Sequence, residues 1–263
     1  MYYTGRNMRQ RGGMTNYLMP FLIIICIGII GVLVVGLWNA IFNNELKKAA
    51  YMHIISGSAQ MKTWGTEEFF NISNDALIMQ GDEIVTSADA QIIVEFFDGT
   101  IMRVAGNTDV NFVEINDDKK PMSVNLLLVN GKIWFNKLYR ETGDTLISVR
   151  TSNLEIVSQQ NNVFTVENGI DEAVRIFTGG TNDIVVNIFD KEGAKIVETE
   201  TLGVGQEAVF SDAVLDRYWQ FQSPSVIGAV NDEFKTTEWY LWNFAEDKNP
   251  TLFEKSVDGN TFV

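Results

Sequence analysis

The sequence predicts a mainly β protein with a single N-terminal transmembrane helix and a C-terminal helix. Three observations support this fold class. An uncharged run of 22 residues, Tyr17–Trp38, lies near the N-terminus. Short β-rich runs separated by turn residues fill positions 54–210, and a helical pattern of apolar residues follows position 231. The β region could form a sandwich or a short irregular β-solenoid, and its pattern leaves both open.

The apolar run is predicted to be an uncleaved membrane anchor with its ends at Tyr17 and Trp38. A helix of this length would extend about 33 Å, enough for the hydrocarbon core of a bilayer. A cleaved signal peptide is the alternative, but its apolar region is shorter and ends at small residues. Here the bulky Trp38 stands where such a cleavage site needs a small side chain. Gly36 and Ala40 form a small-xxx-small pair through which two such helices could pack.

Charge differs in sign on the two sides of this run. The residues through Lys48 carry five basic side chains and one acidic one, and the remainder carries 15 basic and 33 acidic ones. The positive-inside rule places the N-terminal tail in the cytoplasm and the C-terminal domain in the periplasm or outside the cell. The domain after the apolar run is strongly acidic and would repel nucleic acid, which argues against a nucleic-acid-binding function. The single cysteine, Cys26, lies in the apolar run, and an outer domain without disulfides indicates a bacterial envelope protein.

We predict five segments along the chain. They are a cytoplasmic tail at 1–16, a transmembrane helix at 17–42, a helical juxtamembrane stalk at 43–53, a β domain at 54–210 and a helical C-terminal extension at 211–263. Within the β domain, Asp-Gly and Asn-Gly pairs predict hairpins, because both central residues of a type I′ turn need positive φ. Asn130-Gly131 is predicted to be such a turn between two strands.

The C-terminal extension contains the clearest helical pattern outside the apolar run. Asn231 or Asp232 is predicted to cap this helix, and Pro250 to end it. The helix carries more large apolar residues than a solvated helix needs, so we expect it to cover an open face or edge of the sheet. The alternative is a partner-binding face. The residues of that face would be Phe234, Trp239, Trp242 and Phe244.

The sequence contains no recognisable catalytic, cofactor-binding or metal-binding constellation, which predicts a protein that is not an enzyme and needs no cofactor. His53 is the sole histidine, and no cysteine accompanies it as a zinc ligand, so we expect an ordinary surface or strand-edge histidine. Adjacent acids such as Glu67 and Glu68 point to opposite faces of a strand and form no shared site. A carbohydrate-active enzyme would need two carboxylates facing one cleft, and no pair is singled out.

Several turns and strands occur in an order that resembles a known family. The series consists of Leu77, Gly81-Asp82-Glu83-Ile84-Val85-Thr86, the strand 91–97, Asp98-Gly99-Thr100, Met102-Arg103, Thr108, Leu126-Leu127-Leu128, Gly131-Lys132-Ile133-Trp134, Val149-Arg150-Thr151 and Leu202-Gly203-Val204-Gly205-Gln206. It resembles the FecR domain of bacterial envelope proteins over about residues 54–210. The resemblance implies an envelope domain and its location rather than iron signalling. FecR transducers grip a sigma factor through a cytoplasmic region, for which a tail of sixteen residues has little room.

The sequence therefore predicts a single-pass protein of the cell membrane with a FecR-like outer domain. That domain is expected to bind another envelope component, protein or glycan, in a sensory or scaffolding role. The alternative is a self-associating structural subunit of a cell-surface or secretion assembly. Such a homo-oligomer would be joined through the aromatic C-terminal helix and the anchor.

Overall fold

The computed structural model describes residues 23, 25–36, 49–116, 122–137, 145–159, 161–179 and 183–251. The chain forms two compact units, Met1–Leu46 and Lys47–Val263. In the first unit, residues 25–36 form helix α1. Within the described ranges, no helix combines the length and the apolar character needed to cross a membrane. The predicted ends of the anchor, Tyr17 and Trp38, lie outside the described residues.

The described part of the second unit is mainly β, as predicted, with helices near its C-terminus. The strands are β1 Ala49–Ser56, β2 Ala59–Lys62, β3 Phe70–Ile72, β4 Ala76–Met79, β5 Glu83–Thr86, β6 Gln91–Glu95, β7 Ile101–Val104, β8 Asp109–Asn116, β9 Ser123–Asn136, β10 Leu146–Arg150, β11 Leu154–Ser158, β12 Asn162–Asn168, β13 Glu172–Gly179, β14 Ile184–Phe189, β15 Ile196–Leu202, β16 Gln206–Phe210 and β17 Ile227–Ala229. The helices are α2 Asp212–Trp219, a 3₁₀ turn Phe234–Thr236 and α3 Glu238–Lys248.

All of these strands belong to one hydrogen-bonded sheet in which β9 joins two halves. Half I has the order β4-β1-β6-β7-β9-β12-β13-β16-β17. Half II has the order β3-β2-β5-β8-β9-β10-β11-β14-β15. The described ladders are antiparallel, except that β9 and β10 pair in parallel. From β6 in half I and from β5 in half II, the strands follow one another in sequence order, and the chain crosses repeatedly from one half to the other.

The core lies between the two halves. One contiguous cluster of buried apolar side chains includes Ile92 and Val94 of half I together with Val110 and Phe112 of half II. The rings of Phe96 and Phe112, contributed by the two halves, have centroids 6.4 Å apart. The halves therefore face each other, as in the sandwich alternative, while each also extends along the sequence, as in the solenoid alternative.

The Asn130-Gly131 pair is not the predicted hairpin turn. Strand β9 runs through it without a break, pairing with β8 in half II before Gly131 and with β12 in half I from Gly131 onward. Gly131 has a φ of +103°, and a Cβ there would lie 2.5 Å from the Cα of Thr108. The predicted turn needs positive φ at both residues, and of the two only Gly131 has it, at a bend within one strand.

The structure also corrects the boundary between the predicted stalk and the β domain. Strand β1 begins at Ala49, so the end of the predicted helical stalk belongs to the sheet. Met52 is fully buried there, and β1 pairs with both β4 and β6. His53 is buried in this strand, with Nδ1 2.9 Å from Oδ2 of Asp75, and is not a surface residue. A short apolar run can form either a helix or a strand. Here the segment forms a strand because it pairs with β4 and β6.

The C-terminal helix is shorter than predicted, and a different residue caps it. Thr237 adopts an extended backbone conformation, and its Oγ1 accepts a hydrogen bond from the N–H of Tyr240 at 3.2 Å. Asn231 instead caps the preceding turn, where its side chain accepts the N–H of Glu233 at 2.9 Å. Asn231 and Thr237 each act as a cap. The structure therefore has a 3₁₀ turn followed by α3 where one continuous helix was predicted.

Replacement of Gly131 by alanine should destabilise the β unit severely. The added Cβ would overlap the Thr108 backbone, and alanine disfavours the positive φ, so we expect a loss of about 3 kcal/mol or more. Gly169→Ala is the matched control, because its Cβ would meet no atom within 4 Å. Urea unfolding of residues 47–263 measures both. Similar stabilities for the two variants would contradict the assigned role of Gly131.

Stability should be greater at about pH 5 than at pH 8. Burial raises the pKa of Asp82, Asp109 and Glu172, so these groups bind protons more readily in the folded chain. Their contribution to the unfolding free energy therefore falls as pH rises above about 4–5 through the folded pKa values. Asp190 and Asp232 shift in the opposite direction, but both are at the surface.

Urea midpoints of residues 47–263 at the two pH values measure this effect. Asp109→Asn removes one of the raised groups and should reduce the difference between the midpoints. A higher midpoint at pH 8 would contradict the prediction.

Candidate functional site

The outer face of half I is covered by the C-terminal helix. In β7 and β9, Met102 and Phe135 point into the core, so Arg103, Trp134 and Asn136 point to the opposite face. These three side chains are buried nevertheless, because α3 packs over them. Helix α3 therefore covers an open face of the sheet, as predicted.

Asp247, near the end of α3, joins the helix to this face. Its Oδ1 accepts hydrogen bonds from Nη1 of Arg103 at 2.6 Å and from Nδ2 of Asn136 at 2.7 Å, and its Oδ2 accepts from Nε1 of Trp134 at 3.0 Å. Arg103 is 2% exposed and Trp134 is 1% exposed. Asn243, one turn earlier, is fully buried and donates to the carbonyl of Trp239 at 2.7 Å. A buried ion pair with additional hydrogen bonds fixes the position of α3, because only this arrangement pairs both charges.

A cluster of aromatic rings lies beside Asp247. Trp134 stacks on Phe177 with ring centroids 4.4 Å apart, and Tyr240 meets Phe177 edge to face at 5.4 Å. Phe234 also stacks on Phe177, with ring centroids 6.0 Å apart, and Phe244 stacks on Tyr240 at 5.5 Å. Aromatic pairs in these geometries add attraction to the area that they bury. The cluster therefore joins the sheet, the 3₁₀ turn and α3 in one packed unit.

Next to this cluster is an open groove of about 400 Å³ between α3 and half I. We call it the aromatic groove. Its walls include the rings of Trp134, Phe177, Tyr240 and Phe244 and the side chains of Lys235 and Lys248. The amine of Lys248 lies 4.1 Å from the centroid of the Phe244 ring. Ring faces next to amines can stack on an aromatic group or a sugar ring and can pair with an acidic group.

The four residues of the predicted partner face have different environments. Phe234 is buried, with the Arg175 guanidinium 4.1 Å from its ring centroid. Trp239 and Trp242 are half-buried, with ring centroids 5.6 Å apart, and Nε1 of Trp239 is 3.5 Å from Oγ1 of Thr165. Phe244 is 42% exposed and lines the aromatic groove. The structure thus brings together Phe244 and residues of the sheet, rather than the four helix residues as one face.

The first family turn has an architectural role. Gly81 has a φ of +92°, and its N–H donates to the carbonyl of Phe112 at 2.6 Å. The carboxylate of Asp82 accepts the N–H groups of Met79 at 2.8 Å and Trp64 at 3.2 Å. Burial is the main cause that raises the pKa of Asp82. Both residues therefore close the connection between β4 and β5 by internal bonds.

The second and third family turns are also satisfied internally. Asp98 accepts both the N–H and the hydroxyl of Thr100 at 2.8 Å, and the N–H of Gly99 donates to the carbonyl of Phe96 at 2.9 Å. These bonds form the tight hairpin between β6 and β7. Gly131 marks the passage of β9 between the halves. None of these contacts leaves a group directed at a ligand.

The residues that build the groove were mostly missed at the level of sequence. Arg103 belongs to the FecR-like series of motifs, and no sequence motif singles out Asp247. One signal was available: Tyr240, Asn243 and Asp247 recur at helical spacing, so polar groups lie on the same side of α3 as a large ring. Their partners on β7 and β9 lie more than 100 positions earlier, and no local pattern connects them.

Comparison with known proteins gives a match to one family model and similarity to solved structures. The family model described as FecR protein matches residues 82–180. Two crystal structures of a candidate anti-sigma factor from Parabacteroides distasonis, at 1.65 Å and 2.50 Å, are similar to part of the chain, with 18% and 17% identity and a TM-score of 0.38 in each case. Each alignment covers 49% of this chain and 55% of that protein, so the chain spans about half of its length. No curated protein matches the chain.

Removal of the Asp247 carboxylate should destabilise the β unit strongly. Asp247→Ala leaves the buried Arg103 without its charged partner, and the loss of one member of a buried pair costs about 3–5 kcal/mol. Asp232→Ala is the control, because it breaks the exposed pair with Lys235 and should change little. Urea unfolding of residues 47–263, followed by tryptophan fluorescence, measures both. Equal effects of the two substitutions would show that Asp247 does not anchor α3.

Proposed function

We propose, from the premise that the chain carries a FecR domain over residues 82–180, that it is a single-pass, membrane-anchored envelope protein. The N-terminal tail lies in the cytoplasm, and the β unit lies outside the membrane. There it binds another envelope component, a protein or a glycan, in a sensory or scaffolding role. The FecR match is the single observation that carries this proposal.

The sequence features outside the FecR domain support the same proposal. The uncharged run from Tyr17 to Trp38 is long enough to span a bilayer as a helix. Basic residues precede it, and a strongly acidic domain follows it. An acidic outer domain stays soluble and does not adhere to nucleic acid or to other acidic surfaces.

We propose the aromatic groove as the binding surface of the domain. Phe177 of the FecR region and Tyr240 and Phe244 of the C-terminal helix line it, and the buried ring of Trp134 stacks on Phe177. The groove is open, and Phe244 is accessible from solvent. Rings that are already packed against one another lose little conformational entropy when a ligand binds, which favours this place over a mobile loop.

The chemistry of the groove favours binding over catalysis. Asp247 lines the groove, but its carboxylate already accepts hydrogen bonds from Arg103, Asn136 and Trp134. A general base must reach the proton that it removes, and three internal hydrogen bonds hold this carboxylate against the sheet. The remaining polar side chains of the described lining are Thr178, Tyr240 and the two lysines, and none of them is a histidine, a cysteine or a second carboxylate. We therefore propose a binding protein rather than an enzyme.

One observation favours the alternative, a self-associating structural subunit of a cell-surface or secretion assembly. Leu241 and Phe244 on α3 are 53% and 42% exposed, so the helix presents apolar surface to solvent even after it packs on the sheet. A second copy could cover that surface, together with pairing of the anchors. Leu241 lies outside the aromatic groove. A second copy of the chain would contact it, whereas a ligand in the groove would not.

Phe244→Ser should weaken capture of the envelope partner at least tenfold, because it removes an exposed ring from the groove wall. A tenfold change corresponds to about 1.4 kcal/mol, an ordinary value for an aromatic contact residue. Leu241→Ser is the matched control, because it removes a similarly exposed apolar side chain of the same helix. Cross-linking of the full chain in its native membranes, followed by quantitative mass spectrometry, measures the captured partner.

Loss of capture in both variants, together with loss of self-cross-linking, would support the structural subunit instead. Undiminished capture by Phe244→Ser would exclude the aromatic groove as the binding surface. The FecR assignment itself would be unaffected by that outcome, because it rests on residues 82–180.

A further inference from the structure

Helix α2 ends in a backbone conformation that its sequence disfavours. The N–H of Phe221 donates to the carbonyl of Tyr218 at 2.8 Å, and the N–H of Gln222 donates to that of Arg217 at 2.9 Å. These two bonds define a Schellman motif with Phe221 at the left-handed position, where φ is +58°. Glycine normally occupies this position, because a side chain there is strained.

The ring of Phe221 is not buried by the rest of the described chain, so packing does not offset this strain. Its side chain is 88% exposed, the largest exposure of any aromatic residue described in the β unit. Strained backbone and exposed aromatic surface are both unfavourable in the free protein. Their combination at one residue points to a role in binding, because strain of this kind persists mainly at functional positions.

Phe221 borders an open pocket of about 580 Å³ between the end of α2 and the β14–β15 hairpin. We call it the Phe221 pocket. Trp219 forms another part of its wall, and this ring is held in place: Nε1 donates to the carbonyl of Phe189 at 2.8 Å, and the amine of Lys191 lies 4.7 Å from the ring centroid. Ile196, 51% exposed, adds apolar surface. The pocket shares no residue with the aromatic groove.

The pocket is lined by both acidic and basic side chains, and several of them are held in place by contacts within the protein. Lys191 pairs with Asp216 at 3.1 Å, and Asp190 accepts the backbone N–H groups of Ala194 and Lys195. Three acidic and two basic side chains line the pocket, so a ligand with a large charge of either sign would meet repulsion as well as attraction. A neutral ligand with many hydroxyl groups can use both kinds of side chain, since a hydroxyl donates and accepts hydrogen bonds.

We propose that the Phe221 pocket is a binding site for a neutral saccharide. The ring of Phe221 stacks on one face of a sugar, and Trp219 forms a second aromatic contact in the pocket wall. Lys191, Lys195 and Gln220 donate hydrogen bonds to hydroxyl or amide oxygens of the sugar, and Glu192 accepts from hydroxyl groups. The site lies outside residues 82–180 and is independent of the function proposed for the aromatic groove.

A second copy of the chain is the competing occupant of the pocket. The described neighbour of β15 is β14 alone, which leaves β15 as an edge of half II. However, Glu198 and Glu200 lie opposite Ile188 and Val186, on the face of the sheet that points inward. Charges that point inward on an edge strand oppose addition of another strand. This arrangement favours a small ligand in the pocket over a sheet that continues into a second copy.

The test uses the full chain in detergent and two probes, a tetramer of N-acetylglucosamine and maltotetraose. Calorimetric titration of the wild type should detect binding of at least one probe. Phe221→Gly should weaken that binding at least tenfold and raise the melting temperature by about 2–4 °C, because glycine relieves the strain. Trp64→Ala is the control: it removes an aromatic ring that is 80% exposed far along half II, and binding should stay unchanged.

Failure of the wild type to bind either probe at millimolar concentration would overturn the proposal. Equal binding by Phe221→Gly, or equal loss in Trp64→Ala, would overturn it as well. Sedimentation of the same samples distinguishes the competing occupant. Self-association that Phe221→Gly abolishes, without sugar binding, would assign the pocket to a second copy. The cross-linking experiment with Phe244→Ser is separate from these measurements, so the proposals for the two sites are tested independently.

Discussion

Strand β9 is the constraint on which the rest of the β unit depends. It is the one described strand that belongs to both halves of the sheet, and it passes between them at Gly131. The register after Gly131 points Ile133 and Phe135 into the core and Trp134 and Asn136 to the outer face. A shift of one residue would exchange these two sets, because side chains alternate along a strand. The core and the candidate site are therefore determined by the same few residues.

The outer face that β9 creates is completed by the C-terminal helix. Trp134 and Asn136 donate to Asp247, and Arg103 of the neighbouring strand pairs with the same carboxylate. A buried charge that loses its partner is costly, so α3 has one favourable position rather than many. The aromatic groove follows from that position, because its rings come from both the sheet and the helix. The binding function that we propose thus uses a surface that the FecR region does not form alone.

The sequence predicted the class of fold better than its connections. Alternating runs indicated most of the strands, although β1 begins in the predicted stalk and β9 is one strand where two were predicted. The ordered turn motifs indicated the FecR domain, whose family model matches residues 82–180. The Asn130-Gly131 pair predicted a turn, but only Gly131 has a positive φ, and it lies at a bend within a strand. Thr237 caps α3 in place of Asn231, because a 3₁₀ turn precedes the helix and both residues are of types that can cap. Arg103 and Asp247 are separated by 144 positions, and only the folded chain brings them together.

In the function that we propose, the β unit faces the outside of the membrane and presents the aromatic groove there. Labelling of spheroplasts with a membrane-impermeant maleimide tests it directly. The native chain offers only Cys26, which lies in the apolar run, so the wild type should remain unlabelled. Phe244→Cys places a thiol at the groove and should react in intact spheroplasts. Reaction of Phe244→Cys only after lysis would place the domain on the cytoplasmic side and contradict the account.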